Sequence, residues 1–470
     1  MWGQEKNFIW MRLIDGLKNL ESEFKPMLRL SVPVVLAELG WVTMGIIDTM
    51  MVGRVGPEAI GGVSLGSITF FSVAIFGMGL LLGLDTLVSQ AFGAGHLQDC
   101  HSTLFQGVYL SFFLTIPLSL LVLLFIPLLN AWGLNPAVLK QAIPYLKAIV
   151  WSLLPLLLYA TFRRYLQAMN QVKPIMFALI SANLVNAVGN WILIFGHLGA
   201  PAMGAEGAGW ATCFSRIYMA FALLAAIWAY DRRTGSGLWA SDKSLDMRRT
   251  VRLIQLGLPA SLQITMEVGV FGAATALAGK LTPIALASHH IALNAASFTF
   301  MVPLGIASAG AVRVGQAIGR ADPRAASRSG WTALCLGTCF MSAAGLAFLT
   351  IPHQILRIFT TNSVVINSGV TLLYVAAVFQ LFDGLQVVAT GILRGAGDTR
   401  TPMICNLIGH WLLGLPIGYI LCFILNWGVF GLWMGLSVGL ILVGAVLLLV
   451  WSRKVIQLNR EFSWIKNAHK

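Results

Sequence analysis

Acidic side chains stand inside several long apolar segments of this sequence. Asp48 lies in GIIDTMMVG, Glu267 in SLQITMEVGVFG and Asp383 in FQLFDGLQVV. An ionisable group is costly in a hydrocarbon layer and, where it occurs, marks a path for ions or substrates. From the helical rise, Glu267 lies roughly 22 Å and Asp383 roughly 16 Å from the basic residues at one membrane face. Two carboxylates at comparable depth would hold either a shared proton or a cation such as Na⁺.

Amide side chains form a second polar set, in the apolar segment SANLVNAVGNWILIFG. Asn186 and Asn190 are four residues apart and share one helical face. They lie roughly 18–24 Å from Pro174, near the depth of Asp48, so the amides and this carboxyl would form one cluster. Helix packing through amides, and protonated carboxyls bound to neighbouring helices, are the purely structural alternatives. Three further residues are auxiliary candidates: Glu38, Phe379 and Asn294.

Composition places these residues in a membrane protein. The chain of 470 residues is 57% hydrophobic and only 10% charged, against roughly 25% charged residues in soluble domains. So few charges cannot cover a water-soluble surface, and the apolar runs do not alternate as in a β-barrel, so we predict an all-α integral membrane protein. About twelve runs are long enough to span a bilayer. They are 27–51, 60–85, 103–129, 143–163, 175–196, 206–230, 252–279, 284–311, 329–351, 371–393, 403–425 and 428–452.

The basic residues predict the orientation in the membrane. The net charge is +13, but Lys and Arg fall between the apolar runs instead of forming one patch, which argues against a nucleic-acid partner. With both termini in the cytoplasm, the cytoplasmic loops hold most of the basic side chains, as expected for a multi-pass protein of a bacterial inner membrane. Those after the fourth, sixth, eighth and tenth spans are Arg163, Arg164, Lys173, Arg232, Arg233, Lys243, Arg248, Arg249, Arg252, Arg313, Arg320, Arg324, Arg328, Arg394 and Arg400.

The chain divides into two similar halves. LSVPVVL at Pro33 resembles LGLPASL at Pro259, and QAFGAG resembles QAIGRA at the same offset of 226 residues. Because each half has six spans, both halves start at the same membrane face, so we expect two pseudo-symmetric six-helix bundles with a central cleft. The predicted parts are an interfacial N-terminal segment 1–26, a first bundle 27–230, a cytoplasmic linker 231–250, a second bundle 251–453 and a cytoplasmic tail 454–470.

The sequence shows neither a nucleotide-binding loop nor a zinc-protease motif. It contains no P-loop and no HExxH, so we expect neither an enzyme nor a bound cofactor. Transport by this chain would therefore draw on an ion gradient instead of ATP. A membrane-embedded enzyme remains an alternative that would need a metal or nucleophile cluster, and the sequence offers none.

Ordered motifs between residues 30 and 452 resemble the multidrug and toxic compound extrusion (MATE) family, and its NorM-like branch most closely. They are PVVLAELGWVTMGIIDTMMVGRVG, QAFGAG, KPIMFALISANLVNAVGNWILIFG, LGLPASLQITMEVGVFG and FQLFDGLQVVATGILRGAGDTRTP. The resemblance implies twelve helices in two bundles around a V-shaped cleft. It also implies efflux of organic, often cationic compounds in exchange for Na⁺ or H⁺.

The same resemblance implies roles for particular residues. Glu267 and Asp383 match the cation site of the second bundle, which makes them candidate Na⁺ ligands. The residues that match the coupling site of the first bundle are Asp48, Asn186 and Asn190. Phe379 stands where some Na⁺-coupled members have a tyrosine, so a hydroxyl ligand is missing and the coupling ion stays open between Na⁺ and H⁺.

The partners that follow are amphipathic organic cations, the coupling ion and membrane lipids, and we expect a monomer. A lipid-linked oligosaccharide flippase is the alternative within related transporters. Its diphosphate would need several basic residues inside the membrane, and Arg216 is one of few here.

Overall fold

The computed structural model consists of helices connected by short turns. It describes the backbone of residues 2–131, 133 and 135–468, and the side chains of 23–131, 133 and 135–460. Within these residues, twelve spans are long and apolar enough to cross a membrane, which confirms the prediction of an all-α multi-pass membrane protein. The spans are Glu23–Val52, Pro57–Gly93, Leu97–Ala131, Pro136–Ala168, Lys173–Phe195, Ala205–Thr234, Met247–Ala278, Pro283–Gly319, Pro323–Thr350, Ser363–Gly395, Arg400–Ile424 and Gly428–Arg460.

Three spans contain internal breaks. The second is α2 (Pro57–Leu80) followed by α3 (Gly83–Gly93), and the fourth is α5 (Pro136–Ile149) followed, after one 3₁₀ turn at 150–152, by α6 (Leu153–Ala168). The eleventh alternates α-helix with two stretches of wider π-helix: α14 (Arg400–Asn406), π at Leu407–Gly414, α15 (Leu415–Tyr419) and π at Ile420–Ile424. The other helices are α1 (Trp2–Val52), α4 (Leu97–Ala131), α7 (Lys173–Phe195), α8 (Ala205–Thr234), α9 (Met247–Ala278), α10 (Pro283–Gly319), α11 (Pro323–Thr350), α12 (Pro352–Arg357), α13 (Ser363–Gly395) and α16 (Gly428–Ala468).

The helices extend beyond the predicted apolar runs. Arg163, Arg313 and Arg394 were expected in cytoplasmic loops, but they lie within α6, α10 and α13. Hydropathy marks only the apolar part of a helix, whereas backbone hydrogen bonding continues into the polar interface. The side chains of residues 1–22 in the predicted interfacial segment, and of residues 461–470 in the predicted tail, lie outside the described residues.

The chain folds into two compact units, which we call the N-unit and the C-unit. The N-unit comprises Leu36–Thr265, and the C-unit comprises Met1–Val35 with Met266–Lys470. Helices α1 and α9 each supply residues to both units. A single large apolar core fills the N-unit, with Tyr145 and Leu153 fully buried in it.

Small residues let helices approach closely within the C-unit. A Cβ atom at Gly391 of α13 would lie 2.4 Å from the carbonyl oxygen of Ala307 on α10, and one at Gly395 would lie 2.2 Å from that of Ala311. Because lipid tails are as apolar as the helices, the hydrophobic effect does not drive two helices together in a membrane. Close backbone contact of this kind supplies van der Waals packing energy instead. The contact fixes α13, the helix that carries Asp383.

Candidate functional site

A polar cluster surrounds Asp48 inside the N-unit. The Asn190 side chain donates from Nδ2 to Asp48 Oδ1 at 2.6 Å, and Thr212 donates from Oγ1 to Asp48 Oδ2 at 3.1 Å. Asn190 Nδ2 also donates to Asn186 Oδ1 at 3.2 Å, and both amide side chains are fully buried. The structure thus brings Asp48, Asn186 and Asn190 together, as the helical spacing predicted.

Close packing among α1, α7 and α8 produces this arrangement. Asn183 Nδ2 donates to the carbonyl oxygen of Gly40 on α1 at 3.1 Å. This bond joins α7 to α1 about two helical turns from Asp48. On the other side of α7, a Cβ at Gly207 of α8 would lie 2.5 Å from the Leu193 carbonyl oxygen. Asn183 therefore holds the helices, whereas Asn186 and Asn190 face the carboxylate.

Within the described residues, Asn190 Oδ1 is a buried acceptor that receives no hydrogen bond. A buried acceptor without a donor is destabilising by about 1–3 kcal/mol. The amide belongs to the same side chain that donates to Asp48, so this free oxygen is near the carboxyl. A proton on Asp48, or a cation beside it, would supply the missing partner.

Arg216 lies one helical turn from Thr212 on α8 and is 6% exposed. Its Nη1 donates to Ser152 Oγ at 2.6 Å, at the 3₁₀ turn between α5 and α6. The guanidinium carbon lies 4.8 Å from the ring centre of Phe70 and 5.8 Å from that of Trp41. A fixed positive charge therefore stands among aromatic rings in the same unit as the Asp48 cluster.

A second polar cluster occupies the C-unit around Glu267 and Asp383. Asp383 is buried on α13, near enough to Glu267 on α9 for the two carboxylates to repel each other. Gln386, one turn along from Asp383, donates from Nε2 to Glu267 Oε1 at 3.2 Å. The same Nε2 lies 3.5 Å from Asn406 Oδ1, and Gln386 Oε1 lies 3.3 Å from His410 Nε2. Because a carbonyl oxygen can only accept, the hydrogen in this last contact belongs to His410.

The π-helical stretch Leu407–Gly414 carries His410 into this cluster. One extra residue per turn rotates the following side chains relative to an α-helix, and such π-bulges occur preferentially at functional sites. His410 is 1% exposed and Asn406 is fully buried. The C-unit cluster is therefore a chain of two carboxyls, two amides and an imidazole drawn from α9, α13 and the eleventh span.

Within the described side chains, no hydrogen bond or ion pair joins the auxiliary candidates to either cluster. Glu38 forms an ion pair with Arg163 of α6 inside the N-unit. Phe379 is buried against Trp433, with ring centres 5.6 Å apart. Asn294 is exposed on α10. In this structure Glu38 acts as the counter-ion of a buried arginine, and Phe379 acts as a packing residue.

The C-unit cluster offers a small set of oxygen atoms to a cation. Na⁺ would bind through oxygen atoms, but Gln386 presents its NH₂ group to Glu267, and Phe379 has no oxygen to offer. In the part of the chain that the structure describes, no three His, Cys, Asp or Glu side chains converge as metal ligands.

Sequence reasoning missed Thr212, Gln386 and Asn406. Each lies in an apolar run as a single uncharged polar residue, and such residues usually pack between helices. The available signal was spacing: Gln386 follows Asp383 by three residues, and Asn406 precedes His410 by four, which places each pair on one helical face.

Comparison with known proteins agrees with the motifs. The MatE family model matches the chain twice, at residues 33–192 and 259–420, so the two matches start at the offset of the internal repeat. A probable multidrug resistance protein NorM of Mesorhizobium japonicum is 38% identical over 445 residues, covering 92% of this chain and 94% of the relative. The multidrug resistance protein NorM of Aliivibrio fischeri is 30% identical over 458 residues, covering 96% of this chain and 99% of the relative.

Solved structures agree on the fold. A crystal structure of a eukaryotic MATE transporter superposes with a TM-score of 0.82 at 21% identity, covering 94% of this chain and all of that one. The structure of an outward-facing multidrug resistance MATE transporter superposes with a TM-score of 0.82 at 19% identity, covering 95% of this chain and 99% of that one. Together with the family-model matches and the NorM relatives, these likenesses confirm the resemblance in the sequence, and the chain belongs to the MATE family.

Proposed function

We propose that this chain is a secondary active efflux transporter that exchanges Na⁺ or H⁺ for organic, often cationic compounds. The observation that carries the proposal is the presence, in each unit, of carboxyl groups within membrane-spanning helices and surrounded by polar side chains. Asp48 accepts two hydrogen bonds in the N-unit, and Glu267 accepts one from Gln386 in the C-unit. Evolution seldom retains buried carboxyls in a membrane without a function.

The names of the relatives also support an efflux transporter. The NorM proteins named above are multidrug resistance proteins, and the two solved structures are transporters by their descriptions. None of these names indicates an enzyme or a lipid flippase. We therefore propose multidrug efflux and no second function.

Competition for a carboxylate would couple the two flows. When Asp48 is ionised, Asn190 and Thr212 hold it in place, and an organic cation gains attraction from its charge. A proton or Na⁺ at the same carboxylate removes that attraction. Because each ligand weakens the other by the same factor, movement of the ion down its gradient expels the compound. Alternation between inward- and outward-facing states would give each ligand access to one side at a time.

The setting is a bacterial inner membrane, with both termini in the cytoplasm and the chain acting as a monomer. The two bundles proposed from the sequence, 27–230 and 251–453, would be the lobes that move. Amphipathic cations are the substrates and lipids the surroundings.

Ethidium efflux from proteoliposomes tests this proposal. A pH gradient and a Na⁺ gradient would be imposed separately, with Asp48→Asn, Glu267→Gln and Asp383→Asn beside the wild type. We expect efflux with at least one gradient, and its loss in a variant that still inserts into the membrane. Glu58→Gln is the matched control, because Glu58 is exposed at the start of α2. Efflux that ignores both gradients, or survives all three carboxyl substitutions, contradicts the proposal.

A further inference from the structure

Arg216 is a buried charge that the proposed exchange does not use. Within the described residues no direct ion pair joins it to Asp48, its Nε donates to no acceptor, and its one hydrogen bond goes to the neutral hydroxyl of Ser152. An arginine of this kind in a membrane-spanning helix is costly, and removal of one member of a buried charge pair is strongly destabilising. The rings of Phe70 and Trp41 offset part of that cost through cation–π attraction.

The groups that face Arg216 identify its counter-charge. Tyr145 of α5, Asp48 of α1 and Cys213 of α8 are the ionisable side chains near enough to act on it. A phenol and a thiol are neutral at ordinary pH, so Asp48 alone can supply a full negative charge. Asp48 in turn is surrounded by Asn186, Asn190 and Thr212, which are neutral. Among the described residues of this cluster, Arg216 is the one cation and Asp48 the one anion, so Asp48 is the counter-charge of Arg216 although no direct ion pair joins them.

We propose that Arg216 is a built-in counter-cation of the Asp48 cluster, and that its fixed charge weakens the hold of Asp48 on both the proton and the organic cation. Arg216 acts through the charge of Asp48 and does not itself bind the compound. The inference rests on the proposed function, since it concerns release of the two exchanged ligands. Without the guanidinium, either cation would bind a carboxylate that has no counter-charge nearby, and would leave slowly.

The size of the effect follows from Coulomb's law. Thr212 touches Asp48, and Arg216 is one turn away on the same helix, so we take a charge separation of about 9 Å. At an effective dielectric constant of about 20, two unit charges at that distance change an equilibrium constant by about 20-fold. The same factor applies to each monovalent cation that binds at Asp48, so both affinities shift together. An uncharged ligand of the protein would be unaffected.

Binding of tetraphenylphosphonium to the purified protein in lipid nanodiscs, from pH 5 to 9 without Na⁺, tests the inference. In Arg216→Gln we expect binding at high pH to tighten by about 20-fold. The midpoint of its loss on acidification should rise by about 1.3 pH units. Arg216→Lys, which keeps the charge, should stay within about threefold of the wild type. Arg233→Gln removes the same charge from the exposed end of α8 and should change neither value.

A stability measurement covers the case in which Arg216→Gln does not fold. Asp48→Asn leaves the buried guanidinium without its counter-charge, so the double variant with Arg216→Gln should melt at a higher temperature than Asp48→Asn alone. A double variant no more stable than Asp48→Asn, or a pH midpoint that does not move in Arg216→Gln, overturns the role of Arg216 and leaves the proposed function standing. Failure of the wild type to bind the cation at any pH overturns both.

Discussion

Thr212 offers a precise test of the N-unit cluster because its hydroxyl contacts the carboxylate directly. Thr212→Val keeps the shape of the side chain and removes the donor that lies 3.1 Å from Asp48 Oδ2. Asp48 would then keep the bond from Asn190 at 2.6 Å and lose the other. The ionised carboxyl is the form that benefits from the lost donor, so the substitution favours the protonated form.

The magnitude follows from the strength of hydrogen bonds to charged groups. Such a bond contributes about 1.5–3 kcal/mol. At 1.36 kcal/mol per pH unit, the midpoint of any process governed by Asp48 should rise by about 1–2 pH units in Thr212→Val. Thr212→Ser restores a hydroxyl at the same position and should return the midpoint to within about 0.5 unit of the wild type.

The assay is ethidium efflux from proteoliposomes measured at a series of internal pH values. Thr234→Val is the matched control, because Thr234 is an exposed threonine on the same helix whose hydroxyl bonds only to the Tyr230 carbonyl oxygen. A midpoint equal to that of the wild type in Thr212→Val, with efflux otherwise intact, would refute the claim that Asp48 is the titrating group of this cluster.

Three further predictions concern other parts of the chain. Gln386→Leu removes the hydrogen bonds that Gln386 makes with Glu267, Asn406 and His410, so transport should fall at least about tenfold, whereas unchanged transport would show that the C-unit cluster is only structural. Gly391→Ala should lower thermal stability by about 1–3 kcal/mol, because its Cβ would meet a carbonyl oxygen at 2.4 Å, whereas Gly272→Ala has open space and should not. Asp246 accepts hydrogen bonds from the backbone at the start of α9, which hold its pKa below the ordinary value. The stabilising effect of Asp246 is therefore present above its ordinary pKa and lost as pH falls through its lowered pKa. Hydrogen exchange of the backbone amides of residues 247–250 should accelerate over that pH range in the wild type. In Asp246→Asn the exchange should depend on pH only through its intrinsic chemistry.

The arrangement of spans was predictable because hydrophobic length is a one-dimensional property. Each helix that crosses a bilayer must satisfy its own backbone and needs about 20 apolar residues, and the sequence records this directly. The ends were less predictable: Arg163 lies inside α6, where its charge is neutralised by Glu38, a partner 125 residues away. Pairing across such a distance leaves no local signal.

The clusters were predictable in their carboxyls and in the closely spaced amides of α7. Spacing along one helix brought Asn186 to Asn190, and depth brought both to Asp48. Thr212 and Gln386 required knowledge of helix rotation, which depends on packing between helices. His410 lies in the π-helical stretch Leu407–Gly414, and this local change of helix type could not be predicted from the apolar pattern.

The central claim is that carboxyls within the membrane exchange a small cation for an organic one, and its most direct test is ion movement driven by the compound itself. Proteoliposomes without any initial ion gradient would receive an outward gradient of tetraphenylphosphonium, while internal pH and ²²Na⁺ uptake are recorded. The account predicts that H⁺ or Na⁺ enters as the compound leaves, and that Asp48→Asn with Asp383→Asn stops this entry. Export of the compound with no movement of either ion, or ion entry that persists in the double variant, would contradict it.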